Sequence, residues 1–212
     1  QFRDYGNTFP TYPPIANRDY SIGMNFGADN VAGGLTSSLE ATEVAGVPGI
    51  TQRNWNNLDT QSATKANLIA DKNGVAENTT ASVTWNANGI WTTEGNGEIN
   101  NVMPNYPDHK LMHAFLDTGD STTTTVKIDG LPQNLTTNAS GYDVYVYFMG
   151  GVPGRGGGYR VVDGADTSVV LKDYVYARSQ ARIPTYQPVK DNTSITNFGA
   201  GSYLVFRGLK AA

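Results

Sequence analysis

The chain has no cysteine, which excludes a disulfide framework, a thiolate nucleophile and a zinc knuckle and leaves packing alone to hold the fold. It has only two histidines, so a nucleophile-plus-base triad has few possible members. Basic residues number 15 against 19 acidic ones, and the cationic excess that neutralises phosphates is therefore missing, which argues against a nucleic-acid partner. No apolar run approaches the roughly 18 residues of a membrane-spanning helix. Long stretches with apolar residues at three-and-four spacing are lacking too, apart from a short helical turn expected around 62–70. Charged residues are scarce at 16%, against about a quarter in an average soluble protein.

Small uncharged polar residues take their place: 23 Thr and 20 Asn, with 24 Gly. This is the surface chemistry expected of an extracellular β-protein. Short β-branched or aromatic stretches at 20–26, 81–85, 111–116, 123–128, 142–148, 158–162, 168–171, 174–177 and 202–206 are separated by Gly, Asn, Asp or Pro. They read as strands of an all-β, jelly-roll-like β-sandwich. In 142–148, Val144, Val146 and Phe148 share the expected core face, and Tyr145 and Tyr147 share the other.

A length of 212 residues suits one domain with an appendage. The appendage is residues 1–19, an extended N-terminal arm, and the β-sandwich domain is 20–212. Pro10, Pro13 and Pro14 exclude a helix or a central strand, and the arm reaches at most roughly 60 Å at about 3.3 Å per residue. Phe2, Tyr5, Phe9, Tyr12 and Ile15 make it too apolar for a solvated tail. It either wraps its own domain or docks on a neighbouring subunit by strand addition. The first residue is Gln1 rather than Met, which reads as a processed chain. Charge is polarised: residues 1–150 hold 7 basic and 15 acidic groups, and 151–212 hold 8 and 4. That asymmetry suits head-to-tail stacking.

Catalytic and metal signals are weak. His109 and His113 stand four apart, but Lys110 occupies the place where a zincin carries Glu, and on a strand the pair would be about 13 Å apart. The glycine run at 150–158 lacks the Lys-Ser/Thr ending of a phosphate loop and is expected to be a long inter-strand loop. Asp29, Asp117 and Asp120 are expected in turns rather than around calcium. No catalytic set, metal or cofactor is expected. Sugar acceptors are better supported: Asn78, Asn134, Asn138 and Asn192 each head an Asn-x-Ser/Thr triplet without proline, and 121–125 is a Ser/Thr tract suited to O-linked sugars. Covalent glycans are the one group implied.

Seven segments together resemble a family of secreted domains from planctomycete-like and verrucomicrobial bacteria. They are SIGMNFG (21–27), VAGVPGITQRNWNNLD (44–59), ATKANLIADKNGVA (63–76), ASVTWNANGIW (81–91), KLMHAFLDT (110–118), VKIDGLP (126–132) and YDVYVYFMGG (142–151). The resemblance implies an extracellular jelly-roll-like sandwich with no catalytic residues to carry over. The chain is also similar to subunits of glycosylated fibrils found in freshwater samples, in which such domains polymerise helically. The arm is an addition to the ordinary family pattern, and the sequence stops soon after Tyr203, Leu204, Val205 and Phe206, where relatives continue into further strands. An edge left open there invites pairing. The expectation is thus a self-polymerising structural subunit, located outside the cell or at its surface and without a membrane span. Phe2, Tyr5, Phe9, Tyr12 and Ile15 would be the arm's anchors, and Ser202, Tyr203, Leu204, Val205 and Phe206 the acceptor edge. The competing expectation is a carbohydrate-binding module using Trp55, Trp85 or Trp91, of which Trp85 sits at a core position.

Overall fold

Asparagine and glycine cut the chain into short strands. At one hairpin Asn73 and Gly74 take φ of 54° and 85°, the left-handed pair that a tight two-residue turn requires. The computed structural model describes residues 20–210 apart from 99, 102, 104, 105, 183 and 191. The arm at 1–19, with Phe2, Tyr5, Phe9, Tyr12 and Ile15, lies outside the described residues.

The first half runs β1 (Met24–Phe26), β2 (Val31–Ala32), β3 (Leu35–Thr36), β4 (Asn56–Leu58), β5 (Ser62–Lys65), β6 (Ile69–Lys72), β7 (Val75–Asn78), β8 (Ser82–Asn86) and β9 (Gly89–Thr92). The second half opens with the short helix α1 (Tyr106–Leu111) and continues through β10 (Ala114–Asp117), β11 (Thr125–Asp129), α2 (Gln133–Thr136), β12 (Tyr142–Tyr147), β13 (Gly156–Val162), β14 (Val170–Ser179), β15 (Gly199–Gly201) and β16 (Tyr203–Leu209). Strands make up 43% and helices very little, so the class is all-β.

Two packing centres organise these strands. In the first, β8 lies between antiparallel β5 and β11. Period-two alternation turns Val83 and Trp85 inward onto Leu58, Leu68 and Ala81, and the indole N–H of Trp85 donates to the carbonyl of Thr60 at 3.1 Å. In the second, the antiparallel pair β12–β16 and the hairpin β13–β14 contribute to one cluster built on Phe148, Ala177, Leu204 and Phe206, and β15 extends the hairpin by pairing parallel to β14. Val144 and Val146 face this cluster, as the alternation predicts, yet remain only partly covered. Its Tyr159 phenol is pushed up to about 12 by burial. Met103, Met112 and Met149 form a separate cluster with Tyr147 and Tyr186.

The parallel pair β1–β4 is built on asparagine. Asn25 pairs with Asn57 across it, and both use their side chains as backbone substitutes. Asn25 Nδ2 donates to Ser37 O at 2.7 Å and to Asn57 Oδ1 at 3.0 Å. Asn57 Nδ2 donates to Leu39 O at 2.8 Å, while its Oδ1 accepts from Leu39 N at 3.1 Å. Asn56 is buried and faces the other way: its Nδ2 reaches Gly23 O and Ile69 O at 2.9 and 2.8 Å, and its Oδ1 accepts from Ile69 N at 2.9 Å.

Four expectations need correction. The helical turn around 62–70 is absent: residues 62–65 pair with β8, and Asn67 at φ 54° then breaks the chain before β6. The strand expected at 111–116 begins only at Ala114, because α1 ends at Leu111. Residues 170–171 and the piece at 174–177 belong to one strand, β14, with 168 and 169 in the turn before it, and its irregular pairing with β13 around Arg160 hides its continuity in the pattern. The glycine run becomes strand from Gly156, where a Cβ would come within 2.1 Å of the carbonyl of Ala177, so only glycine admits the close approach.

Substituting Asn56→Ala removes the amide that serves both Ile69 N and Ile69 O, whereas Gly23 O keeps its bond from Asn56 N. Unsatisfied groups cost about 1–3 kcal/mol each, and a loss of roughly 3 kcal/mol in denaturant unfolding is expected, against less than about 0.5 kcal/mol for the exposed Asn86→Ser.

Candidate functional site

The sheet β12–β16 carries the predicted acceptor strand. Its register runs Val144↔Phe206, Tyr145↔Val205, Val146↔Leu204 and Tyr147↔Tyr203. Phe148 N donates to Ser202 O at 2.9 Å, so by antiparallel alternation Leu204 and Phe206 bond to β12, and Tyr203 and Val205 aim their backbone groups away from it. On that far side Gln187 and Val189 take the groups of Tyr203: Tyr203 N donates to Gln187 O at 3.3 Å, and Val189 N donates to Tyr203 O at 2.8 Å. Among the described residues no named strand pairs with β16 on that side. Of the five predicted edge residues, Leu204 and Phe206 are core, Ser202 is buried against the 187 segment, and Tyr203 and Val205 form the outward face.

That outward face is aromatic. Tyr145 stacks on Tyr203 at 6.3 Å, and Tyr147 meets Tyr203 at 6.4 Å, Tyr186 at 5.5 Å and Trp55 at 6.1 Å. The ion pair Arg207–Asp143, at 2.9 Å, closes its end. Asp108 in α1 ties this aromatic group to the first half: one carboxylate oxygen accepts from Gly46 N and from the Tyr186 hydroxyl, each at 2.8 Å. Lys110, on the same helix, is paired with Glu43 at 2.8 Å.

The two histidines meet at one carboxylate. Glu94 Oε1 lies 2.5 Å from His109 Nε2 and 3.9 Å from His113 Nε2, and Ser37 Oγ lies 2.8 Å from His113 Nδ1. His113 is 0% exposed, and burial pulls its pKa down, opposed by Glu94, with His109 lowering it further. The helix of α1, not a strand, brings the pair together. Among the described residues no three His, Cys, Asp or Glu side chains are placed to hold a metal ion, and no helix is long and apolar enough to cross a membrane.

The sugar-acceptor candidates differ from one another. Asn78 ends β7, Asn134 lies in α2, and Asn138 accepts from Ser140 N at 3.0 Å; all three are exposed. Asn192 is half-buried, and its Nδ2 already donates to Tyr176 O and Asn197 O, so a glycan there would have to displace both. The three tryptophans do not assemble into one platform. Trp85 is core, Trp55 is half-buried with its indole N–H on Gln52 O, and Trp91 stands 44% exposed with its N–H on Glu98. A different aromatic group escaped the sequence reading: Tyr174 and Tyr176 of β14, continued by Phe198. Their signal was the alternation Tyr174, Tyr176, Arg178, obscured because the segment read as a short strand ending at 177.

No family model, curated protein or solved structure matches this chain.

The buried imidazole makes stability depend on pH. Because the folded pKa of His113 lies below its ordinary value of 6.5, the unfolded chain binds the extra proton first, and stability falls as pH drops below about 6.5. Thermal unfolding should show a lower midpoint at pH 5 than at pH 7.5, and His113→Gln should flatten that difference even if it lowers both midpoints.

Proposed function

We propose that this chain is a structural subunit of an extracellular, glycosylated filament. In this reading it is a jelly-roll-like β-sandwich that polymerises head to tail as the N-terminal arm of one copy adds to the sheet of the next. The observation that carries the reading is that β16 pairs with one named strand, β12, and on its other side meets only the 187–189 segment among the described residues, at Ser202 and Tyr203. An added strand would continue the backbone pairing along that side of β16. Phe2, Tyr5, Phe9, Tyr12 and Ile15 supply apolar anchors of the right character, on a segment that precedes β1.

Charge supports the same polarity. Residues 20–150 hold 5 basic and 13 acidic groups, and 151–210 hold 8 and 4, an asymmetry that favours contacts between unlike regions of successive copies. A donor at one place and an acceptor at another make a heterologous contact, which propagates into a helix rather than closing into a dimer. Exposed Asn78, Asn134 and Asn138 are the sites where sugar would coat such a fibre without disturbing the fold.

Removing residues 1–19 should leave a folded, non-polymerising monomer in sedimentation and in negative-stain images. Val205→Pro should act in the same direction, because proline deletes an N–H on the open side while sparing the bonds to β12. Filaments of normal length from the truncated chain would overturn the arm mechanism.

A further inference from the structure

The outward face of the β13–β14–β15 sheet is not used by the filament reading, and it carries a second aromatic system. Tyr174 and Tyr176 stack with ring centroids 5.5 Å apart at 23°, and Tyr176 continues to Phe198 at 5.4 Å. The segment bearing Phe198 is held against β14 by Tyr176 N, which donates to Asn192 O at 2.8 Å. Beneath the rings lies Gly158, opposite Tyr176 in the register; a Cβ there would come within 2.9 Å of both tyrosines.

Rings laid over a strand glycine are a packing device in their own right. That device explains the tyrosines, but it does not explain what flanks them. The guanidinium of Arg160 sits 5.0 Å over the ring of Tyr174. Arg178, the next outward residue of β14, pairs in register with Gly156 on one side and Ala200 on the other, the smallest neighbours a sheet can offer. Beside it lies a shallow, open depression of about 310 Å³, lined by Arg178 with Pro153, Gly154, Ser179, Gln180, Ala181 and Ala200. Neither Arg160 nor Arg178 pairs with a carboxylate among the described residues. Asp173, next in chain to Tyr174, has an oxygen committed to Tyr174 N at 2.7 Å.

We infer that this strip is a binding site for an anionic saccharide, a polymer of pyranose rings bearing carboxylates. Two planar elements are needed to recognise such a chain, and both are present. Aromatic side chains offer apolar surface to the C–H faces of sugar rings, and an arginine fork takes a carboxylate through two parallel bonds. The depression is shallow and open, which suits one unit of an extended chain resting beside Arg178 with the neighbouring units lying over the tyrosines. An acidic peptide fits less well, since the depression is lined by small and polar groups with no aliphatic pocket for a side-chain anchor. This site is independent of the arm and of the open edge.

The test is titration of the full chain with polygalacturonate, with neutral dextran and poly-glutamate as comparisons. Polygalacturonate should bind saturably and more weakly as salt rises. Arg178→Ala and Tyr176→Ala should each weaken binding at least tenfold, with Arg178→Lys intermediate because it keeps charge and loses the fork. Arg178 is exposed, so Arg178→Ala should leave the unfolding midpoint within a few degrees of the parent and keep the test valid if the Tyr176 variant folds poorly. Absence of polygalacturonate binding, or binding that Arg178→Ala leaves unchanged, overturns the site. Equal affinity for poly-glutamate overturns the saccharide assignment in favour of an acidic-peptide surface.

Discussion

Buried asparagine side chains stand in for a continuous hydrogen-bond ladder, and the first half of the molecule depends on them. Strands of two to five residues satisfy few of one another's backbone groups, and each unpaired buried group is costly. Asn25, Asn56 and Asn57 solve this at the parallel β1–β4 pair by reaching sideways to Ser37, Leu39, Gly23 and Ile69. Asp71 extends the scheme, with its carboxylate accepting from Arg53 N at 2.9 Å and from Asn54 Nδ2 at 3.1 Å. Once these bonds fix β4 and β6, Leu58 and Leu68 are set beneath Trp85, and the first apolar cluster follows.

The second constraint is the helix α1, six residues long but dense in charge. Asp108 reaches both Gly46 in the first half and Tyr186 in the second, Lys110 holds Glu43, and His109 meets Glu94. Each of these side chains is largely removed from water, and removing one partner of the Lys110–Glu43 pair leaves a buried charge uncompensated. The methionine cluster, in which Met112 and Met149 meet Tyr147 and Tyr186, supplies the adaptable packing such a junction needs.

Much of the fold was legible because strand signals are local. The alternation Val144, Val146, Phe148 and the inward Trp85 were readable from period two alone, and both packing centres grew from them. What stayed hidden depends on distant partners. Nothing near Asn56 in the chain announces that its amide will meet Ile69, and the excess of asparagine read as surface and turn chemistry, although three members of it sit in the β1–β4 network. The helix α1 escaped because Tyr106, Pro107 and Asp108 carry no apolar periodicity; tertiary ion pairs, not propensity, hold it. The aromatic strip of β14 escaped for a related reason: Gly156 and Gly157 made the start of the opposing strand look like loop, and nothing local places the rings of Tyr174 and Tyr176 over Gly158.

The β12–β16 pairing brackets everything between its strands, joining Asp143 to Arg207 across 64 residues. Closing so long a loop carries an entropic cost that local contacts must precede. The hairpin β13–β14 lies inside the bracket and needs no distant residue to form. Loop entropy therefore favours an order in which the hairpin assembles while the chain is still open and the two outer strands close over it in a later step. Until that step, the inward faces of Val144, Val146, Leu204 and Phe206 are bare together. The interval before closure is when this chain is most vulnerable to pairing with the wrong neighbour.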